Sequence, residues 1–392
     1  MIGRIIFCTM IAIAALAQVT RAADQVKLGF MASLSGPLAI NGTEMQRGLD
    51  LALAELGNHL GGVPVVLSTA DDKGNPTVGV EEASKLIDRD HVDIVTGVGT
   101  TFIILAVAKT FADADIPVIG ALGGPKEFAG KECNPNIFVS SFENDIQAGA
   151  AGKYMTDAGL KRVFFIGLDF QAGWEAIAAA RANFKGEAVG QIFTPLGQLD
   201  FSAELAQIRA AKPDAVYTFI IGAPGIAFVK QYAQAGLPAT AARYGIGGFA
   251  DPLTFPAMGE AALGITIGTV WNPEIDNPPN RKFVDDFTKK NGRAPTLFSA
   301  MQYDAVMLLD GAVRDIGGKV EDKKALRAAI AKASFKSIRG AFRFNTNHYP
   351  IENVYIEKVV SDPTRPMKMR MALQGVATEA WQDSYYPECS MK

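Results

Sequence analysis

VKLGFMASLSGPLAINGTEMQRGLDLALAEL, residues 26–56, holds the pattern that decides the fold. Val26, Leu28 and Phe30 alternate with the period of a half-buried strand, and Ser35-Gly36-Pro37 reads as a turn. Asn41 with Glu44 three residues on has the form of a capping box, and Met45, Leu49, Ala52, Leu53 and Leu56 recur at helical spacing. The order is strand, loop, helix. It repeats as strand 63–68, helix 76–89, strand 93–97, helix 103–114 and strand 116–119, with Pro76 well suited to a first helical position behind Asn75. Repeated βα units with short links imply parallel sheets covered by helices on both faces.

A second series follows residues 138–141: helix 145–158, strand 162–166, helix 173–184, strand 189–193, helix 201–211, strand 215–221, helix 225–235 and strands near 244–246 and 265–270. Two α/β domains in tandem are expected, each of ordinary size. The tail predicts helices over 281–291, 300–316 and 323–333, then strands over 340–344 and 354–360. That is too few strands for a third sheet, so the tail is expected to complete the first two domains, the chain crossing between them more than once. No low-complexity linker separates the parts.

The bulk numbers narrow the function. The 392 residues are 48% hydrophobic and 20% charged, enough for two cores, and 38 Lys plus Arg face 41 Asp plus Glu with no basic, aromatic-laced stretch. A phosphate backbone finds no positive face, which argues against a nucleic acid partner. The first residues carry one charge, Arg4, then an apolar run over 5–17 and small residues at Ala22 and Ala23. This is the form of a secretory signal peptide, 1–23, cut after Ala22 or Ala23; the run is short of the ~20 residues that span a bilayer. Cys8 lies too early in it for a lipoprotein cysteine. Export leaves Cys133 and Cys389 in an oxidising compartment. A bridge between them is expected, worth roughly 5 kcal/mol at most on the loop-entropy model, with two free thiols as the alternative.

In open parallel sheets, ligands bind beyond the carboxyl ends of the strands. Two loops stand there in the first domain: Gly97-Val98-Gly99-Thr100-Thr101, leading into a helix, and Gly120-Ala121-Leu122-Gly123-Gly124-Pro125. Glycines let main-chain amides approach a ligand, and a helix N-terminus offers unpaired N–H groups, so either loop suits a carboxylate; each also suits a plain tight turn. Neither carries the Gly-Lys-Ser/Thr ending of a P-loop or a complete dinucleotide fingerprint. His59, His91 and His348 are scattered without metal spacing, no Gly-x-Ser-x-Gly elbow occurs, and the 71–75 run lacks most ligands of a calcium loop. Asp169, Asp251 and Asp304 fall near strand ends or helices without pairing as acid and base. No catalytic residue, metal site or cofactor is assigned.

Val26-Lys27-Leu28-Gly29-Phe30, Leu34-Ser35-Gly36-Pro37, Asp71-Asp72 with Pro76, Lys85-Leu86-Ile87, the Gly-Thr loop before Ala106-Val107-Ala108, Ile116-Pro117-Val118-Ile119, Asp169-Phe170 with Gly173, and Tyr303-Asp304-Ala305 follow one another in fixed order. Together they resemble the periplasmic solute-binding proteins of branched-chain amino acid-type (Leu/Ile/Val) ABC importers. The resemblance implies the type I fold: an α/β class with two Rossmann-like lobes, parallel sheets flanked by helices, joined by three hinge crossings. These would fall near Ser141, Trp271 and Phe342, giving lobe one as 24–141 plus 272–341 and lobe two as 142–271 plus 342–392. It also implies a monomer in the periplasm that captures a small-molecule carboxylate by hinge closure, is not an enzyme, and delivers the ligand to an inner-membrane ABC permease with its ATPase.

Carried over by position, the carboxylate would be held by Thr101 with Thr100 beside it and by Ala121, Leu122 and Gly123, with Ser35 and Leu38 at the edge of the site. Amino acid-binding members hold the α-ammonium with a hydroxyl where this chain has Gly123 and an acid where it has Gly247. A buried ammonium without those partners is costly. Ala172, Ile221 and Gly222, with Phe170, Trp174 and Phe249 close by, would form an apolar wall in lobe two. Such a wall suits a hydrophobic or aromatic acid, and the segment 342–351 also resembles the subgroup that binds aromatic acids. Core packing is the other reading of these aromatics. Amino acid binding by the same fold and a ligand-sensing receptor domain are the alternative functions.

Overall fold

Strand β1 (Val26–Ala32) is buried along nearly its whole length because it pairs in parallel with a strand on each side and takes helices on both faces. The computed structural model describes residues 24–365 and 367–391; the expected leader lies outside them. From β1 the chain runs through α1 (Ala39–Glu55), β2 (His59–Leu60), β3 (Val63–Asp71), α2 (Pro76–Asp88), β4 (Ile94–Gly97), α3 (Thr101–Asp113), β5 (Val118–Gly120), α4 (Lys126–Ala129) and β6 (Ile137–Val139). These strands form one sheet in the order β2-β3-β1-β4-β5-β6, parallel except for the β2–β3 hairpin.

The second lobe continues with α5 (Asn144–Asp157), β7 (Arg162–Leu168), α6 (Gln171–Asn183), β8 (Glu187–Thr194), α7 (Ser202–Ala211), β9 (Ala215–Phe219), α8 (Gly222–Gln234), β10 (Ala242–Ile246), α9 (Phe255–Met258) and β11 (Thr266–Thr269). The chain then gives α10 (Pro278–Asn291), α11 (Leu297–Asp315) and α12 (Lys323–Lys332), whose apolar faces join the core around β1 and α1. It ends with β12 (Arg343–Phe344), β13 (Pro350–Ser361) and β14 (Met369–Trp381). The second sheet has the order β12-β13-β11-β10-β9-β7-β8, with β14 on β13; its last two long strands are antiparallel. The tail thus divides between the sheets, as its shortage of strands requires. No helix among the described residues is long and apolar enough to cross a membrane.

Two local readings are corrected. The Asn41/Glu44 capping box does not form: α1 starts three residues earlier, behind Leu38, and no side chain caps it. The Ser35-Gly36-Pro37 turn already begins the coil, with Ala39 N–H bonded to Gly36 O, and Glu44 instead meets Arg47, Arg293 and Thr296. The strand expected over 340–344 shrinks to Arg343–Phe344, while β14 was not anticipated.

Three segments cross between the sheets, and buried polar groups fasten them. Arg339 donates to Ser141 O (2.8 Å), Ser140 O (2.5 Å), Asp304 Oδ2 (3.0 Å) and Glu352 Oε2 (2.6 Å), with its guanidinium 4.7 Å from the Phe342 ring centre. One side chain therefore joins the first crossing to the third. At the second, Trp271 Nε1 donates to Asn280 Oδ1 (2.7 Å) and Asn272 to Glu357. The largest apolar cluster also runs through this region, linking Leu297 and Met301 to Ile146, Val270 and Trp271. After β14 the tail turns back: Tyr385 donates to Asp145 Oδ2 (2.6 Å), and Cys389 is bonded to Cys133, between α4 and β6, at an S–S distance of 2.10 Å.

Candidate functional site

The ends of β4 and β5 set the first wall. Gly97 and Val98 both take positive φ, which swings Gly99 and Thr100 away from the sheet and opens α3 toward the other lobe. Thr100 is the residue before the first turn of α3, with φ −142° and ψ 147°, yet its hydroxyl bonds none of the helix amides. That hydroxyl is buried without any partner. The first helical N–H groups, of Thr101 and Phe102, have no carbonyl within the helix to bond. A hydroxyl and a positive dipole end thus stand together, the arrangement that favours an anion.

Ala121, Leu122 and Gly123 are buried beside this turn. Gly123 has φ +37°, and a Cβ there would lie 2.7 Å from Thr101 N, so the loop packs its main chain directly on the start of α3. A hydroxyl-bearing residue has no room at that position.

Asn41 completes the wall. It lies in the first turn of α1, buried, with Nδ2 unpaired, and shares a small cavity with Ser33, Leu38, Gly99 and Thr100. Its helix was legible in the sequence, but its role was hidden by the capping pattern it imitates.

The second wall meets the first in three places. Phe102 and Phe170 touch edge to face, with ring centres 5.7 Å apart, and Phe219 meets Phe170 from behind, also edge to face, at 5.8 Å. Gly222, at the start of α8, comes up against Pro37 and Ile40: a Cβ there would stand 3.5 Å from Pro37 O. Asn144, at the start of α5, donates to Thr101 Oγ1 (3.2 Å) and to Glu175 Oε2 (2.6 Å), while Gln171 bridges Glu127 of lobe one (3.2 Å) and Glu175 (2.7 Å). The lobes are therefore closed on one another. Because Thr101 Oγ1 accepts from Asn144, its own hydroxyl hydrogen is left for a further acceptor.

Ala172 is buried one residue into α6, and Ile221 is half-buried before α8. Phe170 and Ile221 stand before α6 and α8 without a side-chain cap, as Thr100 does before α3. Three helix N-termini thus approach where the lobes meet, a field that attracts negative charge.

Three sequence-derived positions are not brought to these walls. Trp174 is 46% exposed, with Nε1 bonded to Asp169 Oδ1 at 2.8 Å. Phe249 is buried in the core of lobe two against Gly245 and Gly225, the packing alternative raised for these aromatics. Ser35 is exposed and bonds Asp71, both through its Oγ (2.7 Å) and its amide (3.2 Å). The Asp71 carboxylate also accepts from Leu34 and Lys73, so the residues that imitate a calcium loop fasten the turn after β1.

Carboxylates lie close to the site, and burial decides their state. Glu175 is pushed above the usual carboxylate range by desolvation, against the bonds from Asn144 and Gln171. Glu143 rises further, through burial and the charge of Asp145. That shift disfavours the charged form of Glu175 and so weakens the repulsion a bound anion would meet beside Thr101. None of these acids is paired with a nucleophile. His348, stacked on Phe138 at 3.9 Å, has its pKa lowered to about 4 by burial and stays neutral at ordinary pH. Among the described residues, no group of three His, Cys, Asp or Glu is arranged to hold a metal.

Two α/β lobes on a buried hinge, closed over unpaired donors on their facing walls, define a solute-binding protein. The chain belongs to the periplasmic binding protein family, whose model matches residues 25–364. It is 27% identical over 360 residues to Leu/Ile/Val-binding protein homolog 6 of Brucella melitensis, covering 90% of this chain and 92% of that one. Among solved structures it is similar to an ABC transporter solute-binding protein of R. palustris in complex with benzoate, at 31% identity and TM-score 0.87, covering 93% and 99% of the two chains. A second, from Rhodopseudomonas palustris BisB5 in complex with 3,4-dihydroxybenzoic acid, has 27% identity and TM-score 0.86, covering 92% and 99%.

Proposed function

We propose that this protein is the extracytoplasmic binding component of an ABC importer, and that it closes on a hydrophobic, aromatic carboxylate. The observation that carries the reading is the pair of unpaired lobe-one donors, Thr100 Oγ1 and Asn41 Nδ2, beside the open end of α3. An acid fits them; an ammonium does not. Gly123 and Gly247 stand where amino acid-binding members place ammonium partners, and Phe102, Phe170 and Phe219 supply apolar area for a ring. The solved relatives that hold benzoate and 3,4-dihydroxybenzoic acid support the same class.

Residues 24–141 with 272–341 make one lobe and 142–271 with 342–392 the other, in a monomer released to the periplasm after cleavage near Ala22 or Ala23. Ligand contacts both lobes and so favours the closed form, which a permease then recognises.

One observation favours a second reading, amino acid binding: Glu175 is a buried acid beside Thr101. Its two oxygens already accept from Asn144 and Gln171, which leaves the aromatic acid ahead. A thermal-shift panel of leucine, benzoate, cinnamate-type acids, short aliphatic acids and benzamide tests the choice. Stabilisation by benzoate or cinnamate and none by leucine is expected. Stabilisation by leucine alone refutes it.

A further inference from the structure

Gln147 lies on α5 one turn beyond Asn144, so the two side chains share a face of the helix. It is 1% exposed. Its Oε1 accepts the Gly247 N–H at 3.1 Å, a hydrogen shared with Gly268 O at 2.9 Å, while its Nε2 is buried with no partner. The amide cannot simply be turned over, because that would set its NH2 group against the Gly247 N–H. Two donor hydrogens are therefore held in place at the base of lobe two.

The location is where the lobes meet. A Cβ on Gly247 would stand 2.8 Å from Gln147 Oε1 and 2.6 Å from Leu297 Cδ2, a residue that packs with lobe one. At this position the chain carries no side chain and sets the edge of the Gln147 amide beside it.

A buried N–H without an acceptor is a standing cost that a ligand oxygen removes. The carboxylate already has its donors in lobe one, at Thr100 and Asn41. Resting on the aromatic-acid reading above, we propose that Gln147 Nε2 donates to a second oxygen of the ligand, borne on the ring. The preferred ligand is then an oxygen-substituted aromatic acid rather than unsubstituted benzoate, and Gln147 is the residue that makes the distinction.

Isothermal titration of the full mature protein with benzoate, 3- and 4-hydroxybenzoate, and 3- and 4-methoxybenzoate tests this. For the wild type, at least one oxygen-substituted acid is expected to bind about tenfold or more tightly than benzoate. Gln147→Met, which keeps volume and removes the donor, collapses that ratio to about threefold or less. Gln147→Leu, a second variant without the donor, gives the same collapse, and a denaturant melt of each variant separates the lost contact from a folding defect.

A wild type that prefers benzoate to every substituted acid, or a ratio unchanged in both variants, overturns the assignment of Gln147. If the wild type binds none of these acids, the aromatic-acid reading itself falls, and this inference with it.

Discussion

Replacing Arg339 with methionine removes the guanidinium that joins two hinge crossings while keeping much of its apolar stem. The side chain is almost fully enclosed, and its loss strips donors from Ser140 O, Ser141 O, Asp304 and Glu352 at once. Removing one partner of a buried ion pair costs about 3–5 kcal/mol, because the charge left behind stays out of water. Two features draw the figure toward the lower end. Asp304 keeps bonds from Ser337 Oγ (2.6 Å) and the Ile338 N–H (3.0 Å). Glu352, pushed up to about 8 by burial, can hold a proton at neutral pH instead of standing as a bare charge. Urea denaturation at pH 7 should therefore show a loss of about 3 kcal/mol. Arg339→Lys keeps the charge but cannot span four acceptors with one ammonium, and should lose about 2 kcal/mol. A loss below about 1 kcal/mol for the methionine variant, the range of exposed pairs, would refute the argument that this residue fastens the hinge.

Other outcomes follow from the same geometry. Cys133→Ser opens a cross-link across 256 residues and frees the tail; a loss of about 2–5 kcal/mol is expected in denaturant melts under non-reducing conditions, and none if the thiols are free. Glu352 and Glu357 are both raised by burial to about 8, from 4.5 in the unfolded chain. The folded state thus binds the extra protons, so their contribution is full below pH 4.5 and is lost as pH rises toward 8. Above pH 6.5, where the opposing contribution of His348 is complete, stability should fall up to about pH 8, and Glu357→Gln should flatten the slope; a rise over this window contradicts the burial argument. Thr100→Val removes a hydroxyl that caps nothing, so melting should stay within about 0.5 kcal/mol of wild type while affinity for benzoate falls about tenfold. A stability loss without an affinity loss would make Thr100 structural.

The fold was legible because hydrophobic period and turn residues agree along most of the chain: β1, the Ser35-Gly36-Pro37 turn and the spacing of Met45, Leu49, Ala52 and Leu53 point one way and are buried accordingly. Strand β14 escaped notice because bulges shift its register against β13 and its exposed half bears no clean alternation. The site was legible only where chain geometry makes it. A glycine-rich turn before a helix marks Thr100 and Gly123 in any sequence, whereas Asn41 reads as a cap until Glu44 is seen to be claimed by Arg293 and Thr296, some 250 positions away. Asn144 and Gln147 carry a fainter signal, two amides one turn apart on a helix of small, buried residues. Arg339 carries none, since its partners come from three separate stretches of chain.

The most direct measurement compares benzoate with benzamide by isothermal titration, since the two have nearly the same shape and differ in charge. A cleft built on unpaired donors and helix N-termini should bind benzoate about tenfold to a hundredfold more tightly. Equal affinities, or a preference for the amide, would contradict the claim that negative charge is what the closed lobes recognise.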